Sequence, residues 1–144
     1  LPLENRFSKD KVRLMAGTRR FSRQRQLILD TVCSLHCHPT ADDIYSIVKS
    51  RIPGISLGTV YRNLNVLAEE GLIQKIALGK STERYDSRLD SHYHMICLKC
   101  GRVVDVPLSY EETINERANN SCTHQITGHD IVFSGVCADC KNQK

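Results

Sequence analysis

Four cysteines fall into two pairs, Cys97-x-x-Cys100 and Cys137-x-x-Cys140. A C-x-x-C turn lets two thiolates converge on one ion, and two such turns complete a tetrahedron with sulfurs about 2.3 Å from zinc. Thirty-six residues separate the pairs, more than in a simple zinc ribbon, so the ion would tie the start of its domain to the end. Gly101 directly after Cys100 suits a tight knuckle turn. A shell of four sulfurs leaves no open position, which points to a structural Zn2+ and away from catalysis. Reduced core cysteines and disulfides are the competing readings. The C-x-x-C spacing, without a signal peptide, favours metal.

A second group of donors is built from nitrogen and oxygen. His92 and His94 flank Tyr93 at strand spacing, so their imidazoles point to one face. Asp105 falls on the neighbouring expected strand, Asp86 lies at the end of an earlier one, and His38 sits in a loop before Pro39. Three imidazoles and two carboxylates suit Fe2+, Mn2+ or Zn2+ rather than a thiolate-seeking ion. His38 taken alone reads more often as a surface or capping histidine than as a ligand. Of the other cysteines, Cys33 and Cys37 lie four apart beside His36, which raises a redox switch; the plainer reading is a core Cys33 and an incidental Cys37. Cys122 reads as a free thiol, His124 as a surface residue, and His129 as a surface residue with some capacity for metal.

These groups need elements to place them. Residues 1–17 are charged and weakly amphipathic, with Gly17 a possible helix stop. Ser22 caps a helix carrying Leu27, Ile28, Thr31, Val32 and Leu35 at helical spacing, and His36-Cys37-His38-Pro39 breaks it. Thr40 opens a second helix with Asp43 three residues on, a capping-box pattern, and Ile44, Tyr45 and Val48 form its inner face. Ser56 caps a third, in which Val60, Leu64 and Leu67 recur, and Gly71 stands where a C′ glycine belongs. Leu72–Leu78 and Thr82–Asp86 read as strands around Gly79-Lys80. Three helices and a β-hairpin make a winged helix-turn-helix, a DNA-binding arrangement. Beyond the polar segment 87–91, strands are expected at Tyr93–Leu98, Arg102–Val106 and Asp130–Val136. A helix is expected from Ser109 with Glu112 at N3 and Ile114 and Ala118 on one face.

The chain has 144 residues, 40% of them hydrophobic, and a net charge of +4. Residues 1–86 hold 14 Lys/Arg against 9 Asp/Glu, while residues 87–144 hold 6 against 7. The excess is densest at Arg19, Arg20, Arg23 and Arg25, and such a cluster attracts polyanions through counterion release. No apolar run approaches the ~20 residues of a membrane span, nor does the N-terminus resemble a signal peptide. The expectation is a soluble cytoplasmic protein; because Leu1 is not a start methionine, either a short leader or a trimmed end is expected before it.

Taken together, these residues resemble the ferric uptake regulator family from about Thr18 to Cys140. The likeness rests on His38-Pro-Thr-Ala-Asp-Asp-Ile-Tyr45, Thr59-Val-Tyr-Arg-Asn-Leu64, Arg84-Tyr-Asp86, His92-Tyr-His-Met-Ile-Cys97, Cys100-Gly and Gly135-Val-Cys. Within the family the chain is most similar to the peroxide-sensing branch. Iron-sensing members usually have glutamate where Asp105 stands, and a His-His-Asp-His run where this chain has Ser91-His92-Tyr93-His94. Ser91 and Tyr93 depart from the extra metal site of those relatives, although Glu112 and His129 sit near its other ligands. Zinc-sensing members often place a cysteine near the hinge, and none occurs between Asp86 and His94.

The resemblance implies an α+β chain: a winged helix-turn-helix over residues 1–86, a hinge at 87–91 and a small α/β dimerisation domain over 92–144. It implies a homodimer on a palindromic operator in double-stranded DNA. Thr59, Tyr61, Arg62 and Asn65 would meet the groove, and Arg19, Arg20, Arg23 and Arg25 the backbone. A regulatory Fe2+ or Mn2+ would be held by His38, Asp86, His92, His94 and Asp105. Peroxide would then convert His38 or His92 to 2-oxo-histidine, the ion would leave, and the repressor would release DNA. The alternative within the family is an iron- or zinc-responsive uptake regulator. A zinc hydrolase built on the His/Asp set is disfavoured, since no H-E-x-x-H or similar motif supplies a general base. The chain is therefore expected not to be an enzyme.

Overall fold

Three serine or threonine caps start the first three helices of the described residues. The computed structural model describes residues 22–76, 78 and 82–143; the expected helix within 1–17, Arg19, Arg20 and the Gly79-Lys80 turn lie outside them. Helix α1 (Arg23–Ser34) is capped by Ser22, whose hydroxyl accepts from the Arg25 N–H at 3.1 Å. Helix α2 (Ala41–Arg51) opens on a complete capping box: the Asp43 N–H reaches the Thr40 hydroxyl at 3.2 Å, and the Thr40 N–H reaches the Asp43 carboxylate at 2.9 Å. Helix α3 (Leu57–Glu69) is capped by Ser56 through the Thr59 N–H. It ends in a Schellman motif. Gly71 has φ +70°, its N–H bonds the Ala68 carbonyl, and the Leu72 N–H bonds the Leu67 carbonyl, an arrangement that favours glycine at C′.

The chain divides into two compact units, one ending at Leu89 and one running on from Asp90. In the first, α1–α3 pack around fully buried Ile28, Val32, Ile44, Val48, Val60, Leu64 and Leu67. Strands β1 (Gln74–Ile76) and β2 (Arg84–Asp86) form an antiparallel wing in which Lys75 faces Tyr85. Tyr85 closes the core. Its hydroxyl has no hydrogen-bond partner among the described residues, and burial, helped by Glu83 and Tyr61, pushes its pKa up to about 12. Both strands are shorter than the hydrophobic pattern suggested. This is a winged helix-turn-helix.

In the second unit a three-stranded sheet has the order β4-β3-β5. Strand β3 (Tyr93–Cys97) pairs antiparallel with β4 (Val103–Val106) and parallel with β5 (Val132–Gly135). Helix α4 (Thr113–Ser121) joins β4 to β5, and α5 (Ala138–Asn142) closes the chain. The helix expected to be capped by Ser109 begins three residues later, with Glu112 as its N-cap and no side-chain cap bond. The reason is tertiary: the Glu111 N–H is drawn to the Tyr93 hydroxyl at 2.9 Å, and Tyr110 stacks on His129. Among the described residues no helix is long and apolar enough to cross a membrane.

Candidate metal centres

Strand β3 ends at Cys97, the turn that follows carries Cys100, and Gly101 (φ +72°) returns its N–H to the Cys97 carbonyl at 2.8 Å. Cys137 is the N-cap of α5 and Cys140 lies in its first turn, so the second pair sits on a helix start rather than a strand end. The four Sγ atoms lie within 4.8 Å of one another, with Cys100 and Cys137 at 3.7 Å. A disulfide needs about 2.05 Å, and all four are free thiols. Zinc–sulfur bonds of about 2.3 Å in a tetrahedron set sulfurs about 3.8 Å apart, so the donor set fits that ion.

The electrostatics agree. The backbone N–H of Cys137, then that of Cys100, pulls the Cys97 thiol down to about 6, while hydrogen bonds from Cys137 and Cys100 push Cys140 up to about 12. Four crowded sulfurs cannot all ionise without a cation between them. An Arg102–Asp139 ion pair links the residue after Gly101 to the middle of the second pair, and Asp139, by hydrogen bond and charge, raises the Arg102 pKa, with smaller help from Cys137 and Cys100.

The first unit also contributes His38 and Asp86, both buried, with His38 Nε2 at 3.3 Å from Asp86 Oδ2. His38 holds φ +50°, a left-handed conformation unusual outside glycine. Strand β2 fixes it there. The Arg84 guanidinium donates to the His38 carbonyl at 3.0 Å, and the Tyr85 N–H donates to the Pro39 carbonyl at 3.0 Å. The Arg88 N–H orients Asp86 through Oδ1 at 2.9 Å.

The second unit contributes His92, His94 and Asp105. His94 is the register partner of Asp105 across β3 and β4. Asp105 Oδ1 lies 3.2 Å from His92 Nε2 and 3.5 Å from His94 Nε2. His92 Nδ1 sits 2.6 Å from the Asp90 carbonyl, an acceptor that assigns the ring proton to Nδ1 and the ligating lone pair to Nε2. In each unit imidazole and carboxylate converge, a donor chemistry that suits Fe2+, Mn2+ or Zn2+.

Elsewhere the outcome is mixed. His129 is no surface residue: Nε2 meets the Tyr93 hydroxyl at 2.8 Å, and Nδ1 meets Asn115 Oδ1 at 2.7 Å. Glu112 is exposed, as are His124, Cys37 and Cys122. Cys33 is half-buried with its pKa raised by burial and by Asp30, the opposite of what a reactive thiolate needs. On α3, Arg62 and Asn65 are exposed, Thr59 bonds Ser56 and Arg62, and Tyr61 packs against the core. Arg23 is exposed, but Arg25 donates from Nε to buried Asn63 Oδ1 at 3.1 Å. Lys75 on the wing, overlooked in the sequence, bonds Asn65 at 3.2 Å and pairs with Glu83 at 3.1 Å. A lone lysine in a short strand carries no pattern of its own.

The sequence profile of the ferric uptake regulator family matches residues 16–134. The peroxide-responsive repressor PerR of Staphylococcus epidermidis is 36% identical over 124 residues, spanning 86% of this chain and 83% of that protein. Its namesake in Staphylococcus aureus strain USA300 is also 36% identical, over 86% of this chain and 84% of its own. Among solved structures, the peroxide stress regulator of Campylobacter jejuni superposes with a TM-score of 0.65 at 31% identity, covering 81% of this chain and 88% of that one. The Helicobacter pylori ferric uptake regulator shares the fold, with a TM-score of 0.73 at 24% identity over 94% of this chain and 92% of that one. The chain belongs to the ferric uptake regulator family.

Proposed function

We propose that the chain is a metal-dependent, DNA-binding transcriptional repressor that senses peroxide. The observation that carries this reading is the Asp105 carboxylate facing the Nε2 atoms of His92 and His94, in a chain 36% identical to peroxide-responsive repressors. Cys97, Cys100, Cys137 and Cys140 hold a structural Zn2+. His38, Asp86, His92, His94 and Asp105 together hold one regulatory Fe2+ or Mn2+, with residues 87–91 acting as the hinge between the units that supply them. Fe2+ held there would supply the electron that starts the reduction of peroxide, a reactivity Mn2+ would lack. His38 or His92 would be oxidised, its C2–H gaining one peroxide oxygen while the other leaves as water. A 2-oxo-imidazole has lost the lone pair that ligates, so the set falls below the donors it needs and the hinge is released.

The DNA side rests on exposed Arg62 and Asn65 of α3, with Thr59 and Tyr61 beside them, and on Arg19, Arg20, Arg23 and Arg25 for the phosphates. A homodimer would place two such surfaces on a palindromic operator. Nothing in the cycle turns over a substrate, so the protein acts as a regulator in the cytoplasm rather than as an enzyme.

The test starts from operator DNA selected out of a random duplex library by the Mn2+-loaded protein. The protein is loaded with Fe2+ or Mn2+ and exposed to peroxide, then DNA binding and peptide masses are measured. Peroxide sensing predicts release of DNA and a gain of one oxygen on the His38 or His92 peptide in the Fe2+ form alone. Retained binding with unmodified histidines in the Fe2+ form would replace this reading with an iron-responsive one.

A further inference from the structure

Strand β3 presents two faces. His92 and His94 lie on one, and Tyr93 between them points to the other, 1% exposed. The tip of Tyr93 is fully engaged. Its hydroxyl accepts from the Glu111 N–H at 2.9 Å and lies 2.8 Å from His129 Nε2. The direction of that second bond follows from the other ring nitrogen. Asn115 Oδ1, an acceptor, lies 2.7 Å from His129 Nδ1, which puts the ring proton on Nδ1 and leaves Nε2 to accept from the phenol. His129 is itself clamped. The Tyr110 ring stacks on it with centroids 4.4 Å apart and planes 13° apart, and the His129 N–H donates to the Tyr110 hydroxyl at 3.2 Å. Partners therefore arrive from α4, from the segment before it and from the segment before β5.

A tyrosine side chain has only two rotatable bonds, so fixing its tip fixes the backbone from which it springs. Neighbouring residues on a strand point to opposite faces. A roll of β3 that frees Tyr93 must therefore swing His92 and His94 the other way, off the Asp105 carboxylate. We propose that Tyr93 is a positioning residue for the regulatory ion: held by His129 and by the Glu111 N–H, it sets the roll of β3 and hence the angle at which His92 and His94 present Nε2 beside Asp105. The inference rests on His92, His94 and Asp105 being ligands, as proposed above. Groups that orient ligands from behind typically change metal affinity by about 10–100-fold when removed.

The experiment uses the full chain with zinc in place and follows Mn2+ by electron paramagnetic resonance. Four variants are compared with the parent: Tyr93→Phe, His129→Gln, Asp105→Ala and Val103→Ala, the last removing buried apolar packing from β4. Tyr93→Phe should weaken Mn2+ binding by about 10–100-fold and alter the line shape of bound Mn2+, with zinc content unchanged. His129→Gln, which still offers an oxygen to the phenol, should lose less. Val103→Ala should lower the unfolding midpoint yet leave Mn2+ affinity and line shape as in the parent.

Unchanged Mn2+ affinity and line shape in Tyr93→Phe, with Asp105→Ala impaired, would overturn the positioning role and leave the ligand assignment standing. Equal loss in Val103→Ala would overturn it too, since general destabilisation would then account for the effect. Full Mn2+ binding by Asp105→Ala would remove the ligand assignment, and this inference with it. If Tyr93→Phe loses zinc, His129→Gln is judged by the same criteria.

Discussion

Arg25 shows how one residue changes meaning between sequence and structure. It belongs to a basic cluster that reads as a grip on phosphates, yet its Nε donates to Asn63 Oδ1 at 3.1 Å, and the Asn63 side-chain N–H donates in turn to the Thr59 carbonyl at 2.9 Å. Asn63 is 8% exposed, so removing its donor leaves a buried acceptor unmatched. Arg25→Ala should therefore lower unfolding stability in urea by about 1–2 kcal/mol. Arg23→Ala, altering an exposed residue, should leave stability alone. It should instead reduce the slope of log K against log[salt] for DNA binding by about 0.9 for each phosphate that Arg23 neutralises. Equal stability of the two variants would remove the brace. The two clusters proposed as metal donors were legible because metal chemistry restricts both type and spacing: C-x-x-C for a shared ion, and i, i+2 histidines for one face of a strand. The Arg25–Asn63 bond and the Tyr93–His129 bond join residues far apart in sequence, and no local pattern announces them.

At the scale of elements, the caps of α1, α2 and α3 and the glycine that ends α3 were readable because each bond spans only a few residues. The start of α4 was not, since Glu111 and Tyr110 answer to β3 and His129 rather than to their own helix. Helix α5 was missed because one turn is too short to show periodicity. Local control can be measured at α2. Asp43 has its pKa lowered chiefly by the Thr40 N–H; burial, the next largest effect, opposes this, and the Thr40 hydroxyl and Arg84 add smaller lowering effects. A carboxylate depressed on folding adds stability that is complete above its unfolded pKa, near 4, and is lost as pH falls through the folded value. Asp43→Asn should thus cost about 0.5–1 kcal/mol at neutral pH, a modest figure because the residue is exposed. Circular dichroism of urea unfolding should show the gap closing on acidification below pH 4. A gap independent of pH would mean that shape, not charge, holds the box.

Across the whole chain the two units are unequal in what they bury. The first has a continuous apolar core, whereas the second encloses only Tyr93, Cys97, Val103 and Cys137 among its described apolar residues, and α4 has no buried residue. Leu98, Leu108, Val132, Phe133 and Val136 stay exposed in this unit, and β5 pairs on one side only among the described strands. Small domains bury too little surface to stand without a metal or a partner chain, and an open apolar sheet edge is a template for pairing. The Zn2+ proposed for the four-cysteine cluster would answer the first need. A second copy of the chain covering β5 would answer the other, in keeping with the homodimer proposed above. Val132 lies on the edge strand outside the Tyr93 network but opposite His94 in register, so Val132→Glu places a charge in that interface and its Mn2+ affinity is measured alongside. Sedimentation equilibrium should show the parent at twice the chain mass and Val132→Glu at the single-chain mass, with zinc content retained. DNA affinity should fall with it, because half-sites then bind independently. A variant that remains a dimer with full DNA affinity would move the interface away from β5.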